Sequence, residues 1–431
     1  MMKESTPVAV ALVVGGLLGS PGIARAQGAF DGTLDSYVRY ALSRSPQLEA
    51  ARARATEAQL SVSKTKRIPE PTVSYGYFVR NVETRVGPQQ HRIGVSQSFP
   101  WPTKLTAAAR AATQVAEAAE QGTREKELRV TRLVAEAYWK LWLIDEEHRL
   151  MKEHDLVLET LAGTVRGRVQ TGAASLADLS QVELGVARHH DHHGAHREAQ
   201  RSAQARLLAV SGAAHREPTP VTDQPRLGLP AADEQELHRI ARSSPGVERL
   251  GLMASASEHR AAMAAADKLG GFRVGVDYIV TGEAEMSGVA DSGKDPIIAS
   301  VALSLPLWWG IYDANVEAAR AEERARRAEQ EQARLMVDAE LQAALSAVRD
   351  GERRTRLYRD TLIPQGETTY RSVLGSYQTG RSTVAAVLLA QRELLELQLD
   401  LAQARANHAR SWAWLEEVVG ATVPMKEEGE G

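Results

Sequence analysis

The densest chemistry in this 431-residue chain is the run His189-His190-Asp191-His192-His193-Gly194-Ala195-His196, which carries five of its twelve histidines. His189, His193 and His196 are spaced i, i+4 and i+7, so on a helix they share one face. Imidazole binds zinc, copper and nickel, whereas a fixed metal site also needs a positioned second shell that spacing does not supply. Two readings stand: a transient metal face built on these three residues, or a hydrated helix surface. Two further segments answer each other, Thr171-Gly172-Ala173-Ala174-Ser175 and Thr379-Gly380-Arg381-Ser382-Thr383. Glycine suits a helix end that needs positive φ, and Ser or Thr caps the helix that follows. Nothing in the chain suggests catalysis. There is no G-x-S-x-G, P-loop, H-E-x-x-H or dinucleotide fingerprint, so no catalytic residue and no cofactor is assigned. The absence of cysteine removes thiolate metal sites, disulfides and a lipid attached through cysteine.

Long elements must position these residues. The formal charge is −3, from 52 basic and 55 acidic residues, a balance that argues against nucleic acid as a partner. Aromatics make up only 5% of the chain, so Ala, Leu, Arg and Glu in long helices must carry the fold. Val8–Leu18 is a short apolar run after Lys3, followed by Ala24-Arg25-Ala26. This is the pattern of a secretory signal over residues 1–26. Beyond it no apolar stretch reaches the roughly 20 residues of a membrane helix. A mature chain that enters a membrane must therefore do so as a closed β-barrel.

The chain also repeats. Tyr37–Pro46 answers Glu236–Pro245, Val95–Pro100 answers Val301–Pro306, and Gly172 answers Gly380 at a separation of 208 residues. These landmarks define a first repeat over 27–210 and a second over 233–423. A Pro-rich linker over 211–232 joins them, and an acidic tail over 424–431 follows. Each repeat is expected to hold a short helix (34–44 in the first), a longer one after proline (46–68), two strands, and a long helical hairpin. Val73, Tyr75, Tyr77 and Val79 alternate with Thr72, Ser74, Gly76 and Phe78, and Phe272–Val280 alternates likewise. Segments of about 8–10 residues with this period match tilted transmembrane strands; a soluble sandwich with one polar face has the same pattern. Residues 103–170 contain no proline and read as one helix, with Val130, Leu133, Val134, Ala137, Tyr138 and Leu141 on one stripe. The sister stretch is interrupted at Pro364. Four strands do not close a barrel, but three copies supply twelve.

With these elements in order, the whole mature chain resembles the TolC-type outer-membrane efflux channels. The resemblance rests on the paired repeat, Ala41-Leu-x-x-Ser-Pro46, the strand exit Ser96-Gln-Ser-Phe-Pro-Trp-Pro-Thr-Lys104-Leu, and Gly380-x-x-Thr383-x-x-x-Val387-Leu388-x-Ala390-Gln391-x-x-Leu394. Phe99-Pro-Trp-Pro-Thr-Lys104 is similar to the branch serving heavy-metal (copper, cobalt, zinc, cadmium) tripartite pumps. The resemblance implies a mainly α fold with a small transmembrane β part: a homotrimer whose 12-stranded β-barrel lies in outer-membrane lipid and continues as a long α-helical barrel in the periplasm. An equatorial belt would come from the Pro46 and Pro245 helices and the termini. A periplasmic adaptor would dock on the tips at Thr171, Gly172, Ser175, Thr379, Gly380 and Thr383, and an inner-membrane resistance-nodulation-division transporter would supply the energy. Heavy-metal cations are the expected cargo; drug or polypeptide export is the alternative within the family, and a periplasmic coiled-coil scaffold the alternative outside it. The family often carries acidic residues six and nine positions after the second tip glycine, where this chain has Ala386 and Leu389. In the first repeat Asp178 stands at the sixth position. Three copies of it would form a pore ring, or each is a solvated helix carboxylate. Trp101, Trp308 and Trp309 follow the strand pairs, as an aromatic girdle or as packing against the belt.

Overall fold

The computed structural model describes residues 30–214 and 217–427. The signal segment expected over 1–26 and the end of the acidic tail lie outside the described residues. The chain begins with α1 (Leu34–Arg44), opened by the Thr33 side chain accepting from the Ser36 N–H at 3.3 Å. Pro46 forces Ser45 into extended backbone, which ends α1 and starts α2 (Pro46–Thr65). That helix stops short of the expected 68 because Pro69 lies just ahead. β1 (Thr72–Thr84) and β2 (Gly87–Pro100) follow as one long hairpin, then α3 (Pro102–Gln170) and α4 (Leu176–Ser211). The 69 residues of α3 reach about 100 Å at 1.5 Å per residue.

After the proline-rich crossing come β3 (Gly228–Pro230), α5 (Glu234–Ala241), α6 (Pro245–Ala266), β4 (Gly271–Thr281) and β5 (Ile297–Leu303). The second hairpin is α7 (Trp309–Leu357), a π-helical turn at Tyr358–Leu362, α8 (Ile363–Gln378) and α9 (Val384–Val419). The interruption expected at Pro364 is thus a π turn in a helix that otherwise continues. The Ile363 N–H reaches back five residues to the Tyr358 carbonyl, just ahead of the proline that has no N–H to give. The chain closes with β6 (Met425–Glu427), antiparallel to β3.

β1, β2, β4 and β5 form one antiparallel sheet in that order, so the two repeats meet at the β2–β4 seam. One chain makes an open sheet with β1 and β5 as edges. α2 and α6 do not form a belt. They run antiparallel along the sheet-proximal half of α3, with Arg52 paired to Glu127 at 2.9 Å and Arg249 to Glu125 at 2.7 Å. α6 also lies along α7, where Arg327 meets Glu258 at 3.0 Å. The mid-height position is taken by α1, α5 and the β3–β6 pair. There Phe30, Tyr37, Tyr138 and Trp139 pack with Leu141, Leu207 and the Ala face of α9. Small residues on that face let the helices approach closely, which is how an aromatic-poor chain fills a core. The stripe read from α3 is buried at Val130, Val134, Ala137, Tyr138 and Leu141, and its sister in α7 at Leu341, Ala344, Leu345 and Val348.

Candidate functional site: the sheet faces and the hairpin tips

The four strands sort their side chains by face. Val73, Tyr75, Tyr77, Val95, Val274, Val276, Tyr278, Val301 and Leu303 lie on one side, all exposed; Val73 and Val301 are each 72% accessible. The register confirms the common face, with Val73 opposite Val95, Val95 opposite Val276, and Val274 opposite Val301. An exposed apolar face of this width marks a surface for contact with lipid or with another protein. The opposite face carries Ser74, Arg92, Gly94, Ser96, Gly275, Asp277 and Ser300. Arg92 grips Asp277 across the seam, Nε to Oδ1 at 3.0 Å and Nη2 to Oδ2 at 2.9 Å. Gly94 makes the room: a Cβ there would press on the Asp277 carboxylate and on Ser74. Trp101, Trp308 and Trp309, at the strand–helix junctions, are exposed. Among the described residues no helix is long and apolar enough to cross a membrane.

At the other end the two tips are built alike. Gly172 and Gly380 adopt φ of 72° and 73°. The Ala173 N–H returns to the Arg168 carbonyl, and the Arg381 N–H to Ser376, both at 2.8 Å, closing each helix with the left-handed cap that only glycine forms without strain. Ser175 then caps α4 and Thr383 caps α9, accepting from the Asp178 N–H at 3.1 Å and the Ala386 N–H at 3.2 Å. The Asp178 carboxylate completes a reciprocal box, accepting from the Ser175 N–H at 3.0 Å and its hydroxyl at 2.8 Å. These bonds hold its pKa below the usual carboxylate range, so Asp178 is ionised, half-buried and engaged as a cap. The tips are tied to each other: Arg168 Nη1 donates to the Tyr377 carbonyl at 2.8 Å, and its guanidinium lies 4.7 Å from the centre of that ring. This tie has no sequence signal, since its partners lie in different repeats.

The histidine run lies on α4 facing α3. His189 Nδ1 and His193 Nε2 both meet the Asp155 carboxylate, the former at 3.0 Å. His148 stacks edge-on to His193, with ring centres 5.3 Å apart. His196 lies beside the same His148 ring, with ring centres 6.4 Å apart. Among the described residues no group of three or more His, Asp or Glu is arranged to hold a metal ion. As the structure stands, the imidazoles bind a carboxylate that fastens α4 to α3. A separate histidine, which the sequence did not single out, is buried: His154 lies between Gln391 and Gln398 of α9, 2.7 Å from each.

With this geometry in view, the sequence pattern of the family described as Outer membrane efflux protein matches residues 38–213 and 249–421. No curated protein matches the chain. Solved structures that share the fold include the transmembrane channel CusC, with a TM-score of 0.76 and 16% identity over 90% of this chain and 92% of that one. VceC, an outer membrane protein of Vibrio cholerae, gives 0.74 and 18% over 90% and 96%. The open-state MtrE outer membrane channel of Neisseria gonorrhoeae gives 0.72 and 17% over 90% and 89%.

Proposed function

The chain belongs to the outer membrane efflux protein family, and from that premise we propose that it is the outer-membrane export duct of a tripartite resistance-nodulation-division system, carrying heavy-metal cations. The observation that carries this reading is the two-faced sheet. Its apolar face would meet outer-membrane lipid, and its Ser/Gly/Arg/Asp face would line water. Four strands with two bare edges demand neighbours in lipid, so three chains close a 12-stranded barrel, β1 of one against β5 of the next. The long hairpins then form a helical barrel crossing the periplasm, reached after a signal over residues 1–26 is removed. Exposed Trp101, Trp308 and Trp309 suit the aromatic girdle at the inner edge of the barrel.

The duct does no chemistry and needs no cofactor. The tips at Thr171, Gly172, Ser175, Thr379, Gly380 and Thr383 would receive a periplasmic adaptor, which links them to the inner-membrane transporter. Asp178 of three chains would add a ring of negative charge close to the tips, in addition to its capping role. The segment Phe99–Lys104 supports the heavy-metal cargo. Deleting the gene in its host is expected to raise sensitivity to copper, cobalt, zinc or cadmium while leaving drug sensitivity unchanged; the reverse pattern would transfer the cargo assignment to drugs.

A further inference from the structure

Between mid-height and the tips, the packing of α3 against α9 changes character. The mid-height core ends at Leu150 and Leu395, and the tip core begins at Leu161, Val165, Val384 and Val387. The layer between them contains two buried polar side chains, His154 at 6% and Gln391 at 4% accessibility. Gln391 Nε2 donates to His154 Nδ1, and His154 Nε2 donates to Gln398 Oε1, each at 2.7 Å. Both ring nitrogens are therefore committed, one as acceptor and one as donor, which is the pattern of a neutral imidazole. The π turn of the second hairpin lies at the matching height: at the 208-residue offset that relates the two tip glycines, Tyr358–Leu362 falls on 150–154. Tyr358 also donates to Asp400 of α9 at 3.0 Å. Weak points in both hairpins thus share one level, about 24 Å from the tip end of α3 at 1.5 Å per residue.

We propose that His154, with Gln391 and Gln398, is a proton-sensitive latch between the two hairpins, and that mild acid releases the tip unit from the mid-height core. Protonation turns Nδ1 into a donor facing the Gln391 amide N–H, so the bond is lost unless a buried amide turns over. The groups that bear on the ring are few. On α3, Glu153 and Asp155 favour its charged form; on α4, His189 opposes it; on α9, its partners Gln391 and Gln398 are neutral. Burial outweighs the Gln398 hydrogen bond and the carboxylates and holds the His154 pKa below its ordinary value of 6.5. The sign follows. The latch is intact above that ordinary value and weakens as the pH falls below it, because the opened, hydrated imidazole takes up the proton more readily. For its purpose this rests on the export-duct reading: tips that must part to admit cargo would part more easily in acid.

The test is amide hydrogen exchange by mass spectrometry on the full mature protein in detergent, with rates corrected for the intrinsic effect of pH. Segments 150–158 and 388–400 should exchange several-fold faster at pH 5.5 than at pH 7.5, because the opened state binds the proton more tightly than the latched one. In His154→Gln, which cannot titrate, that acceleration should disappear, while His408→Gln should retain it. Site-specific C2-proton exchange in the unaltered protein supplies a second measurement, with a His154 midpoint below the ordinary imidazole value of 6.5. Equal corrected rates at both pH values, acceleration that persists in His154→Gln, or a His154 midpoint at or above that ordinary value would overturn the latch. None of these readouts depends on conductance, so failure of the latch is distinguishable from failure of the duct.

Discussion

The Tyr138 hydroxyl serves three backbone groups at once. It donates to the Gly32 carbonyl at 2.7 Å and accepts from the Thr222 and Asp223 N–H groups at 3.2 and 2.9 Å. With Tyr37, which donates to the Pro220 carbonyl at 3.0 Å, it stitches the proline-rich crossing onto the mid-height core. Tyr138→Phe keeps the ring but strands the Asp223 N–H, while the Thr222 N–H still donates to the Gly32 carbonyl at 2.9 Å, so it should destabilise the fold by about 1–3 kcal/mol, read as a lower thermal midpoint in detergent. Asp178→Asn should cost less, about 0.5–1 kcal/mol, because an uncharged side chain still caps the helix while losing the charge favoured at its N-terminus. The Asp178 carboxyl titrates below the usual range, so its share of stability is present above the ordinary carboxylate pKa of 3.8 and is lost only as the pH falls through its own lower value. Cap strength should therefore stay constant from pH 5 to 8, which a flat thermal difference between Asp178→Asn and the parent across that range would verify. His408 has the same sign in a higher pH window. Its Nε2–H donates to the Gly228 carbonyl at 2.9 Å, and burial depresses its pKa, so its contribution is present above the ordinary imidazole value and diminishes below it. His408→Gln should flatten part of the acid-side loss of thermal stability between pH 7 and 5. The capping roles of Ser175 and Thr383 were legible in the sequence because they depend on neighbours a few residues away. The His154 layer was not, since its partners lie more than 230 residues on and no local pattern announces a contact between repeats.

At the scale of elements, the period-2 alternation of the strands and the proline-free length of α3 were legible because each is a property of one continuous segment. Helix lengths were readable to within a few residues wherever proline or glycine punctuated them. The π turn was foreseen only as an interruption, since Pro364 removes a donor without dictating how the preceding turn adjusts. The roles of α2 and α6 were misjudged, because the proline at their start reveals a break and not which way the next helix runs. Val95 and Ser96 offer the sharpest test of the two faces, being adjacent in sequence and opposite in direction. Val95→Lys should reduce recovery of the inserted oligomer, at about 2–4 kcal/mol for a cation on a lipid-facing strand. Ser96→Lys should insert normally and change conductance instead. Equal loss of insertion in both variants would mean that the two faces do not see different solvents.

The whole molecule is two copies of one plan whose strands merge into a single sheet and whose hairpins end in matching glycine caps. Repeats 199 to 208 residues apart were visible in the chain; their joining at the β2–β4 seam, with Arg92 clasping Asp277 across it, was not. An open, two-faced sheet on helices about 100 Å long leaves two strand edges unpaired in a single chain, and in the proposed duct three copies pair them within a membrane. The most direct test is the oligomer mass of the detergent-purified mature protein, measured alongside its single-channel conductance in a planar bilayer. The expected result is a trimer that inserts and passes discrete current steps. A monomer that stays in solution without detergent and never inserts would contradict it.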